Sequence, residues 1–299
     1  MKIVVTGSLG HISRPLTEEL VEKGHNVTVV SSDPKKQKDI ESLGATAAFG
    51  TVEDVNFLTA TFTGADAVYT MIPPRHSFFD HSFDITAYVG RLAGNYAHAI
   101  RESGVKRVVQ LSSIGAHLEK GTGLLTFYYD LERTLANLSD VAITFMRPTA
   151  FHYNLYGYIA AIKNAGVIAA NYGGEDKTTW VSPIDIAAAI AEEITTRVAA
   201  GTKVRYVASD ELTCNEVASI LGTAIGKPDL KWVVISDEQM RSNLEAAGMN
   251  PVIAAGMVEM YASAHTGVLG EDYNRHRPAV LGKVKMKDFA KEFAAAFNQ

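Results

Sequence analysis

The sequence predicts an α/β fold in which a doubly wound parallel sheet is followed by a smaller C-terminal α/β lobe. Short, nearly all-apolar runs rich in β-branched residues alternate with helical patterns, as in sheets whose two faces are covered by helices. A glycine-rich turn directly follows the first apolar run. The alternation weakens after the segment MRPTAF, which predicts a different arrangement in the second half of the chain.

Six strands are expected in the first half, each short and apolar enough to be buried on both faces. They span residues 2–5, 26–30, 46–49, 67–71, 107–112 and 142–147. Helices are expected between them, since a glycine just past the last turn is a common helix stop. The clearest examples are 16–23, before Gly24, and 85–103, before Gly104.

The second half mixes short strands with helices, which are expected at 184–197, 214–225 and 289–297. Neither a repeat nor a Pro- or Ser-rich linker interrupts it. We therefore expect a first domain over 1–150 and a smaller substrate-side lobe over 151–299, with some segments of the lobe packing back on the first domain.

Composition excludes several classes of protein. The chain has 299 residues, of which 47% are hydrophobic and 20% charged, and its net charge of −5 argues against a nucleic-acid surface. Cys214 is the only cysteine, so no internal disulfide can form, and we expect a small buried side chain. The chain opens on a strand pattern and no apolar run reaches membrane-spanning length, so we expect a cytoplasmic location without membrane association. The sequence leaves the oligomeric state open, a homo-oligomer included.

Two further segments were considered for function. His76 and His81 do not have the i, i+4 spacing of a helical zinc site, so no metal is expected. The small basic patch NRHRP at 274–278 is expected to be a solvated turn.

The turn TGSLGHIS has the context of a dinucleotide-binding loop. Gly7 and Gly10 lie between a strand and a helix, where glycine lets the backbone approach a pyrophosphate and the helix N-terminus offers N–H groups. Ser13 stands where a third glycine is usual, and we expect its hydroxyl to bond to a carbonyl one turn earlier. Pro15 places the helix start no earlier than about His11. The alternative interpretation is a plain strand-to-helix turn.

The end of the second strand distinguishes the two nicotinamide dinucleotides. An acidic residue there bonds the ribose 2′-OH of NAD, whereas NADP sites avoid that acid. Ser31 and Ser32 occupy this position and Lys35 and Lys36 follow, which favours NADP(H). Asp33, one step past the strand end, keeps NAD(H) as the alternative.

Six segments, in order, resemble the NmrA-like group of atypical short-chain dehydrogenases/reductases: KIVVTGSLGHIS, ADAVYTMIPP, VKRVVQLSSIGAH, ITFMRPTAFHYNL, WVSPIDIA and LTCNEVASILGTAIGKP. The group includes NADPH-dependent quinone reductases, isoflavone-type reductases and a nucleotide-sensing co-regulator. The resemblance, from residue 1 to about residue 297, implies a Rossmann-type NAD(P)-binding domain with a substrate cleft beside the C-terminal lobe. It implies that Gly7, Ser8, Leu9, Gly10, His11 and Ile12 bind the pyrophosphate and that Ser31, Ser32 and Lys36 lie near the adenosine ribose. It also implies that Thr70, Met71 and Ile72 lie along the nicotinamide-side ribose and that Ser112 and Ser113, at the end of the fifth strand, contact the cofactor.

The chain departs from typical short-chain dehydrogenases at the catalytic tyrosine. Those enzymes carry Tyr-x-x-x-Lys, whereas here Tyr128 is followed four residues later by Glu132, where NmrA-like proteins commonly have a carboxylate. Because like charge disfavours a phenolate, we expect Glu132 to raise the pKa of Tyr128 above its usual value near ~10. Tyr129 and Arg133 keep a cation in an overlapping frame, rotated about 100° around the helix. Aromatic packing is the alternative role for both tyrosines.

A reductase without a strong base is the function we predict. Alcohol oxidation, dehydration and epimerisation need a base at a hydroxyl, whereas hydride delivery to a quinone or conjugated carbonyl does not, because solvent can protonate the product. We therefore predict NADPH-dependent reduction of a small-molecule electron acceptor, with Tyr128 as hydrogen-bond donor. The second hypothesis is that the protein is a non-catalytic NADP(H) sensor. The residues expected to line the acceptor site, or alternatively to form interdomain core, are Phe151, Tyr153, Asn154 and Tyr156.

Overall fold

The structure, a computed structural model, describes residues 1–73 and 78–299. The strands are β1 (Lys2–Val5), β2 (Asn26–Ser31), β3 (Thr46–Phe49), β4 (Ala67–Thr70), β5 (Arg107–Leu111), β6 (Ala142–Pro148), β7 (Ala150–Phe151), β8 (Val167–Ala170), β9 (Lys177–Val181), β10 (Gly201–Val207), β11 (Asp210–Thr213) and β12 (Lys231–Val234). The α-helices are α1 (Ser13–Glu22), α2 (Gln37–Ser42), α3 (Val55–Phe62), α4 (Ile85–Ser103), α5 (Thr126–Ala136), α6 (Ile159–Ala165), α7 (Pro183–Thr195), α8 (Cys214–Ala224), α9 (Asp237–Ala246), α10 (Pro251–His265), α11 (Glu271–Arg275) and α12 (Met286–Phe297).

The central sheet has the order expected of a doubly wound fold. Among the described residues seven strands pair as β3-β2-β1-β4-β5-β6-β10, and every neighbouring pair is parallel. The chain order reverses between β1 and β4, so the carboxyl ends of these two strands border the crevice where such sheets bind ligands. The predicted fold class is confirmed, and the six predicted strands are present with ends that agree to within one residue.

Two layers of helices bury the sheet. On one face Leu16 of α1 and Ile190 of α7 share one apolar core with buried side chains of β1 and β2. On the other face the core takes Leu58 from α3, Tyr96 from α4 and Leu131 from α5. Because both faces are covered, the inner strands β1, β4, β5 and β6 are buried almost throughout, which is the pattern expected of such strands.

The C-terminal half builds a second, smaller core. A three-stranded sheet of β11, β9 and β7 and the parallel pair β12 and β8 pack with α8 and α12 around Trp180, Trp232 and Phe289. Two elements of this half, α7 and β10, belong instead to the central layer. The division into 1–150 and 151–299 stays a prediction, with α7 and β10 as the segments that pack back.

Membrane-spanning potential was searched over the described ranges 1–73 and 78–299. No single helix there combines the length and the apolar composition needed to cross a bilayer. One bent pair, Pro251–His265 with Val268–Arg275 at 74°, meets the length and composition criteria jointly.

Candidate functional site

The loop after β1 has a backbone path that only glycine accepts at its first position. Gly7 has φ of +90°, a region that L side chains rarely adopt. A Cβ at this position would lie 2.7 Å from the Ser13 hydroxyl oxygen and 3.1 Å from the Met71 sulfur. The loop therefore follows the sheet edge with main chain alone, as a loop that cradles a pyrophosphate must.

Ser13 replaces the usual third glycine by forming a specific hydrogen bond. Its hydroxyl donates to the Thr6 carbonyl at 2.8 Å, and the side chain is buried. We expected a carbonyl one turn earlier, and this was wrong: the acceptor lies seven residues back, at the end of β1. The reason is that Ser13 is the first residue of α1 and faces the strand end, so its hydroxyl ties helix and strand together. The helix start agrees with the limit set by Pro15.

The N-terminus of α1 suits an anionic group. No side chain caps it, and its first turn contains no acidic residue. Free N–H groups and the helix dipole favour a negative charge at such a terminus. Together with the glycine cradle, these features fit the pyrophosphate of a dinucleotide. The contact of Gly7, Ser8, Leu9, Gly10, His11 and Ile12 with the pyrophosphate stays a prediction.

At the end of β2 the two serines differ in availability. Ser31 is buried, and its hydroxyl accepts a hydrogen bond from the Ser8 hydroxyl at 3.0 Å and one from the Asp33 main-chain N–H at 3.2 Å. Ser32 and Lys36 are exposed. Asp33 accepts from the Lys35 N–H at 3.0 Å and so caps a short helical turn. Ser31 therefore shapes the site, while Ser32 and Lys36 are accessible to a ligand.

Behind the loop, β4 contributes mainly main chain. The Thr70 side chain is fully buried and donates to the Gln110 side-chain oxygen at 2.7 Å, so it does not face the groove. The Met71 N–H donates to the Thr6 hydroxyl at 3.2 Å, which fixes β4 against the start of the loop. Ile72 is half-buried and packs on the core under α4.

Glu132 takes part in a buried ion-pair network. It accepts two hydrogen bonds from the Arg147 guanidinium, from Nε at 2.9 Å and from Nη2 at 2.6 Å, and one from the Ser112 hydroxyl at 2.5 Å. Arg147 Nη1 also donates to Asp272 at 3.0 Å and to the Tyr206 hydroxyl at 3.2 Å. Burial acts to lower the pKa of Arg147, but the hydrogen bonds and charge of Glu132 raise it above its ordinary value. Glu132 therefore holds neighbouring groups in place and does not line the acceptor cavity described below.

This network corrects the expected cause of the Tyr128 shift. The pKa of Tyr128 is raised to about 12, and the cause is burial of the phenol. The expected effect of Glu132 was wrong, because that carboxylate faces Arg147, whose positive charge balances it. With a pKa about 2 units above its usual value near ~10, the Tyr128 hydroxyl stays protonated at neutral pH.

Tyr129 and Arg133, which are four residues apart like Tyr128 and Glu132, lie on the outer side of α5. Arg133 is exposed, and its Nη1 donates to the Tyr129 hydroxyl at 2.8 Å, with the guanidinium carbon 5.3 Å from the ring centroid. Tyr128, one residue earlier, lines a cavity. The rotation of about 100° between adjacent helix residues thus separates a cavity-facing tyrosine from a surface one.

A cavity of about 280 Å³ lies where the carboxyl ends of β5 and β6 meet β9, α10 and α11. Of the predicted site residues it brings together Ser112, Ser113, Tyr128, Phe151 and Asn154. The remaining walls come from residues for which the sequence predicted no site role. Among these residues are Tyr158, Tyr172, Trp180, Met260, Tyr261 and Tyr273.

Two of the four predicted acceptor-lining residues lie elsewhere. Tyr153 stacks between His11 and Phe151, with ring centroids 4.8 and 5.0 Å away, and lines a separate cavity of about 470 Å³. Tyr156 lines this second cavity too and packs against Phe289. Tyr156 thus packs on the core of the C-terminal lobe, and Tyr153 lies beside the glycine-rich loop.

The remaining candidates have structural roles. Cys214 is fully buried, as predicted, and burial raises the pKa of its thiol to about 12. His76 lies outside the described residues, and the His81 Nε2 is 3.2 Å from the Gly248 carbonyl. In the described part of the chain, no group of three or more His, Cys, Asp or Glu side chains could hold a metal. The predicted patch at 274–278 begins within α11, and its Arg277 pairs with Glu211.

Comparison with known proteins defines the class. A family model described as NAD(P)H-binding matches residues 7–197, which is more than half of the chain. The chain belongs to this family. The match starts at Gly7 and extends through α7, so it covers the loop from Gly7, strands β2 to β6 and all of α5.

Several of its relatives are named as reductases. The chain is 26% identical over 298 residues, 99% of both proteins, to the NAD(P)H azoreductase of Xenophilus azovorans. It is 24% identical over 253 residues, 85% of this chain and 84% of the relative, to the (4-alkanoyl-5-oxo-2,5-dihydrofuran-3-yl)methyl phosphate reductase of Streptomyces griseus. It shares its fold with an NADPH-dependent quinone oxidoreductase of Escherichia coli, at 19% identity and a TM-score of 0.76 over 97% of this chain and 98% of that one.

These findings confirm the predicted resemblance to NmrA-like atypical short-chain reductases and the predicted class, an NAD(P)H-dependent oxidoreductase. They do not favour the alternative of a non-catalytic sensor.

Replacing Gly7 by Ala is expected to weaken NADPH binding at least about tenfold, because the new methyl group meets the Ser13 hydroxyl and strains a positive φ. Gly24→Ala is the matched control, since Gly24 also has positive φ, at +78°, but nothing within 4 Å. Isothermal titration calorimetry measures both dissociation constants, and melting temperatures report the strain alone. Equal loss of affinity in the two variants would contradict the role of the loop.

Replacing Glu132 by Gln is expected to lower the free energy of unfolding by roughly 3 kcal/mol, because it leaves the Arg147 charge buried with one carboxylate fewer. The double variant Glu132→Gln, Arg147→Met removes the uncompensated charge and is expected to recover part of this loss. Lys106→Ala, which breaks an exposed pair with Asp140, should leave stability nearly unchanged. Urea denaturation measures all three, and a Glu132→Gln effect no larger than that of Lys106→Ala would show that the network is unimportant.

Proposed function

We propose that this protein uses NADPH to reduce a quinone or a conjugated carbonyl compound of small size. The observation that carries the proposal is Tyr128, a residue that lines a cavity at the carboxyl edge of the sheet and whose hydroxyl remains protonated. A protonated phenol donates a hydrogen bond, and it does not act as a base.

The residues around Tyr128 favour reduction over other reactions of this fold. Alcohol oxidation or epimerisation requires a group that removes a proton from a hydroxyl. The carboxylate one turn later, Glu132, is engaged by Arg147 and Ser112. Neither tyrosine nor carboxylate is then suited to proton removal, whereas reduction of an electron-poor acceptor needs only a donor for the developing negative oxygen.

In the proposed reaction the side chains of the protein bind and orient the acceptor, and they transfer no electrons. Bound NADPH supplies a hydride, which is two electrons with one proton. A quinone that receives it becomes a hydroquinone after gaining one further proton, and solvent supplies that proton. Tyr128 donates a hydrogen bond to the acceptor oxygen, and the cavity walls hold the acceptor against the crevice.

Support for the acceptor class comes from the relatives. One is a reductase of azo compounds by its name, and another acts on an unsaturated lactone bearing an alkanoyl group. Such acceptors are electron-poor conjugated systems, which accept hydride without prior proton removal. A small-molecule acceptor of this kind matches a cavity of about 280 Å³.

The preference for NADPH over NADH rests on the end of β2. No acidic side chain stands at the Ser31 and Ser32 positions, and the nearest one, Asp33, caps the following turn. The exposed Lys36 ammonium is 3.7 Å from Asp39, a weak surface contact that a 2′-phosphate can replace. NAD(H) remains usable because the rest of the groove does not distinguish the two nucleotides.

Tyr128→Phe is expected to lower kcat/KM for 1,4-benzoquinone about tenfold or more, through loss of a hydrogen bond to a developing charge. Tyr129→Phe is the matched control, because Tyr129 does not line the cavity and its hydroxyl accepts a hydrogen bond from Arg133; this variant should change kcat/KM less than twofold.

The pH dependence of kcat/KM distinguishes a hydrogen-bond donor from a base at Tyr128. Because its pKa is raised to about 12, the donor form persists throughout pH 7–10, and kcat/KM should be flat with respect to this group. A rise of kcat/KM with pH that disappears in Tyr128→Phe would show that Tyr128 acts as a base, and absence of turnover with quinones and enones would overturn the proposal.

Lys36→Ala is expected to raise the NADPH dissociation constant about threefold to tenfold and to leave that of NADH unchanged, because only NADPH carries the 2′-phosphate. The effect should shrink at high salt, since Lys36 is exposed. Lys38→Ala, two residues further on and also exposed, serves as control. Titration of NADPH and NADH by fluorescence checks this, and an equal effect on both nucleotides would contradict it.

A further inference from the structure

Lys177 is the one charged side chain among the described residues that line the acceptor cavity. It is the first residue of β9, and its side chain is 64% exposed, so the ammonium is accessible to solvent and to a ligand. The other lining residues are uncharged, and many of them are aromatic or aliphatic. A largely apolar cavity therefore has a single accessible positive charge.

The nearest carboxylate, Glu211, does not depend on Lys177 for its charge balance. Glu211 Oε1 accepts a hydrogen bond from the Tyr273 hydroxyl at 2.8 Å, and Oε2 accepts one from the Arg277 guanidinium. Lys177 Nζ is 3.6 Å from Oε2, a separation too long for a hydrogen bond. Because two cations share one carboxylate, the three groups carry a net charge of +1.

These contacts also place the ammonium beside a wall of the cavity. Tyr273 lines the cavity, and its hydroxyl and the Lys177 ammonium lie against the two oxygens of the same carboxylate. The acid next to Lys177 in the chain, Asp176, is engaged elsewhere, because it accepts from the Gly173 N–H at 2.7 Å and lies 2.6 Å from His265 Nδ1. Lys177 is thus available to bind an anion from a ligand.

The direction of β9 places Lys177 away from the dinucleotide loop. Val181, the last residue of the strand, pairs with Phe151, whose ring stacks on Tyr153 beside the loop. Lys177 lies four residues earlier, which is about 13 Å along an extended strand. A ligand whose reacting ring lies near the bound dinucleotide therefore extends its far side toward Lys177.

We propose that the cavity selects anionic acceptors, namely one- or two-ring quinones or enones with a carboxylate on the side remote from the reacting carbonyl, and that Lys177 binds this carboxylate. This rests on the proposed function. Aromatic walls such as Tyr172 and Tyr261, with ring centroids 5.0 Å apart, favour flat rings, and the volume of about 280 Å³ limits their number. The whole chain carries a net charge of −5, so the preference for an anion is local to this cavity.

Two ligands that differ in charge and have nearly the same shape test the assignment. 1,4-Naphthoquinone-6-carboxylate carries its anion on the ring remote from the quinone carbonyls, and the 6-carboxamide is its neutral counterpart. At low salt the carboxylate is expected to bind about threefold to fivefold more tightly than the amide, as for an exposed ion pair, and high salt should remove most of this difference. Calorimetry in the presence of NADP⁺, which allows no turnover, measures both dissociation constants on the unaltered chain. Equal affinities at low salt would overturn the proposal.

Three variants assign the preference to Lys177. Lys177→Met removes the charge and keeps most of the apolar stem, so the two ligands should bind equally, whereas Lys177→Arg should retain the preference. Lys231→Met is the matched control, because Lys231 is also the exposed first residue of a strand in this lobe and does not line the cavity. A preference that survives in Lys177→Met, or one that Lys231→Met also abolishes, contradicts the assignment.

The two levels of inference fail separately. If the carboxylate binds with this preference but is not reduced by NADPH, the proposed reductase function is wrong and the recognition of an anion stands. If the two ligands bind alike and are both reduced, the selection of anions is wrong and the reductase function stands. Failure of the carboxylate to bind also overturns the selection, while turnover of neutral quinones still decides the reductase function.

Discussion

The buried guanidinium of Arg147 is the interaction on which the geometry of the site depends. It comes from β6 and binds Glu132 of α5, Asp272 of α11 and the Tyr206 hydroxyl of β10. A charge at this depth is tolerated only when paired and hydrogen-bonded, and here two carboxylates pair with it. The network therefore fixes the helix that carries Tyr128 against the sheet. It also joins the central layer to the segment that carries Tyr273, a wall of the acceptor cavity.

The same network explains why the tyrosine is a donor. In a Tyr-x-x-x-Lys arrangement a nearby ammonium stabilises the phenolate, and the tyrosine can accept a proton. Here the residue four positions after Tyr128 is a carboxylate that forms an ion pair with Arg147. Burial is therefore the cause of the shift in the pKa of the Tyr128 phenol. Burial raises the pKa because it disfavours the charged form. The site thus has a neutral hydroxyl where typical members of the fold have an ionisable one, which suits an acceptor that needs no deprotonation.

Local patterns predicted the fold and the loop, and long-range contacts decided the rest. The inner strands could be predicted because they are buried on both faces, whereas β10 was missed because Thr202, Lys203 and Val204 in its first half are exposed at the sheet edge. The glycine loop was visible because Gly7 and its neighbours act through main chain. The Ser13 acceptor and the Arg147 partner of Glu132 were not, because they lie seven and fifteen residues away and depend on how helices face the sheet. Tyr261 reaches the cavity from α10, and no local signal marks it. Trp180 opens the segment WVSPIDIA, which predicted the family but gave Trp180 no site role.

The dinucleotide loop and the acceptor cavity share a physical boundary. Tyr153 packs its ring between His11, which belongs to the loop, and Phe151, which lines the cavity. His11 follows Gly10 at the end of the turn that Gly7 and Ser13 hold against β1, so the stack starts from a fixed point. Phe151 follows β6, the strand that carries Arg147, and β7 pairs it with Val181 beside Trp180. Ring packing and strand pairing within the chain therefore connect the loop with the cavity. Tyr153, predicted as an acceptor wall, lies between these two features.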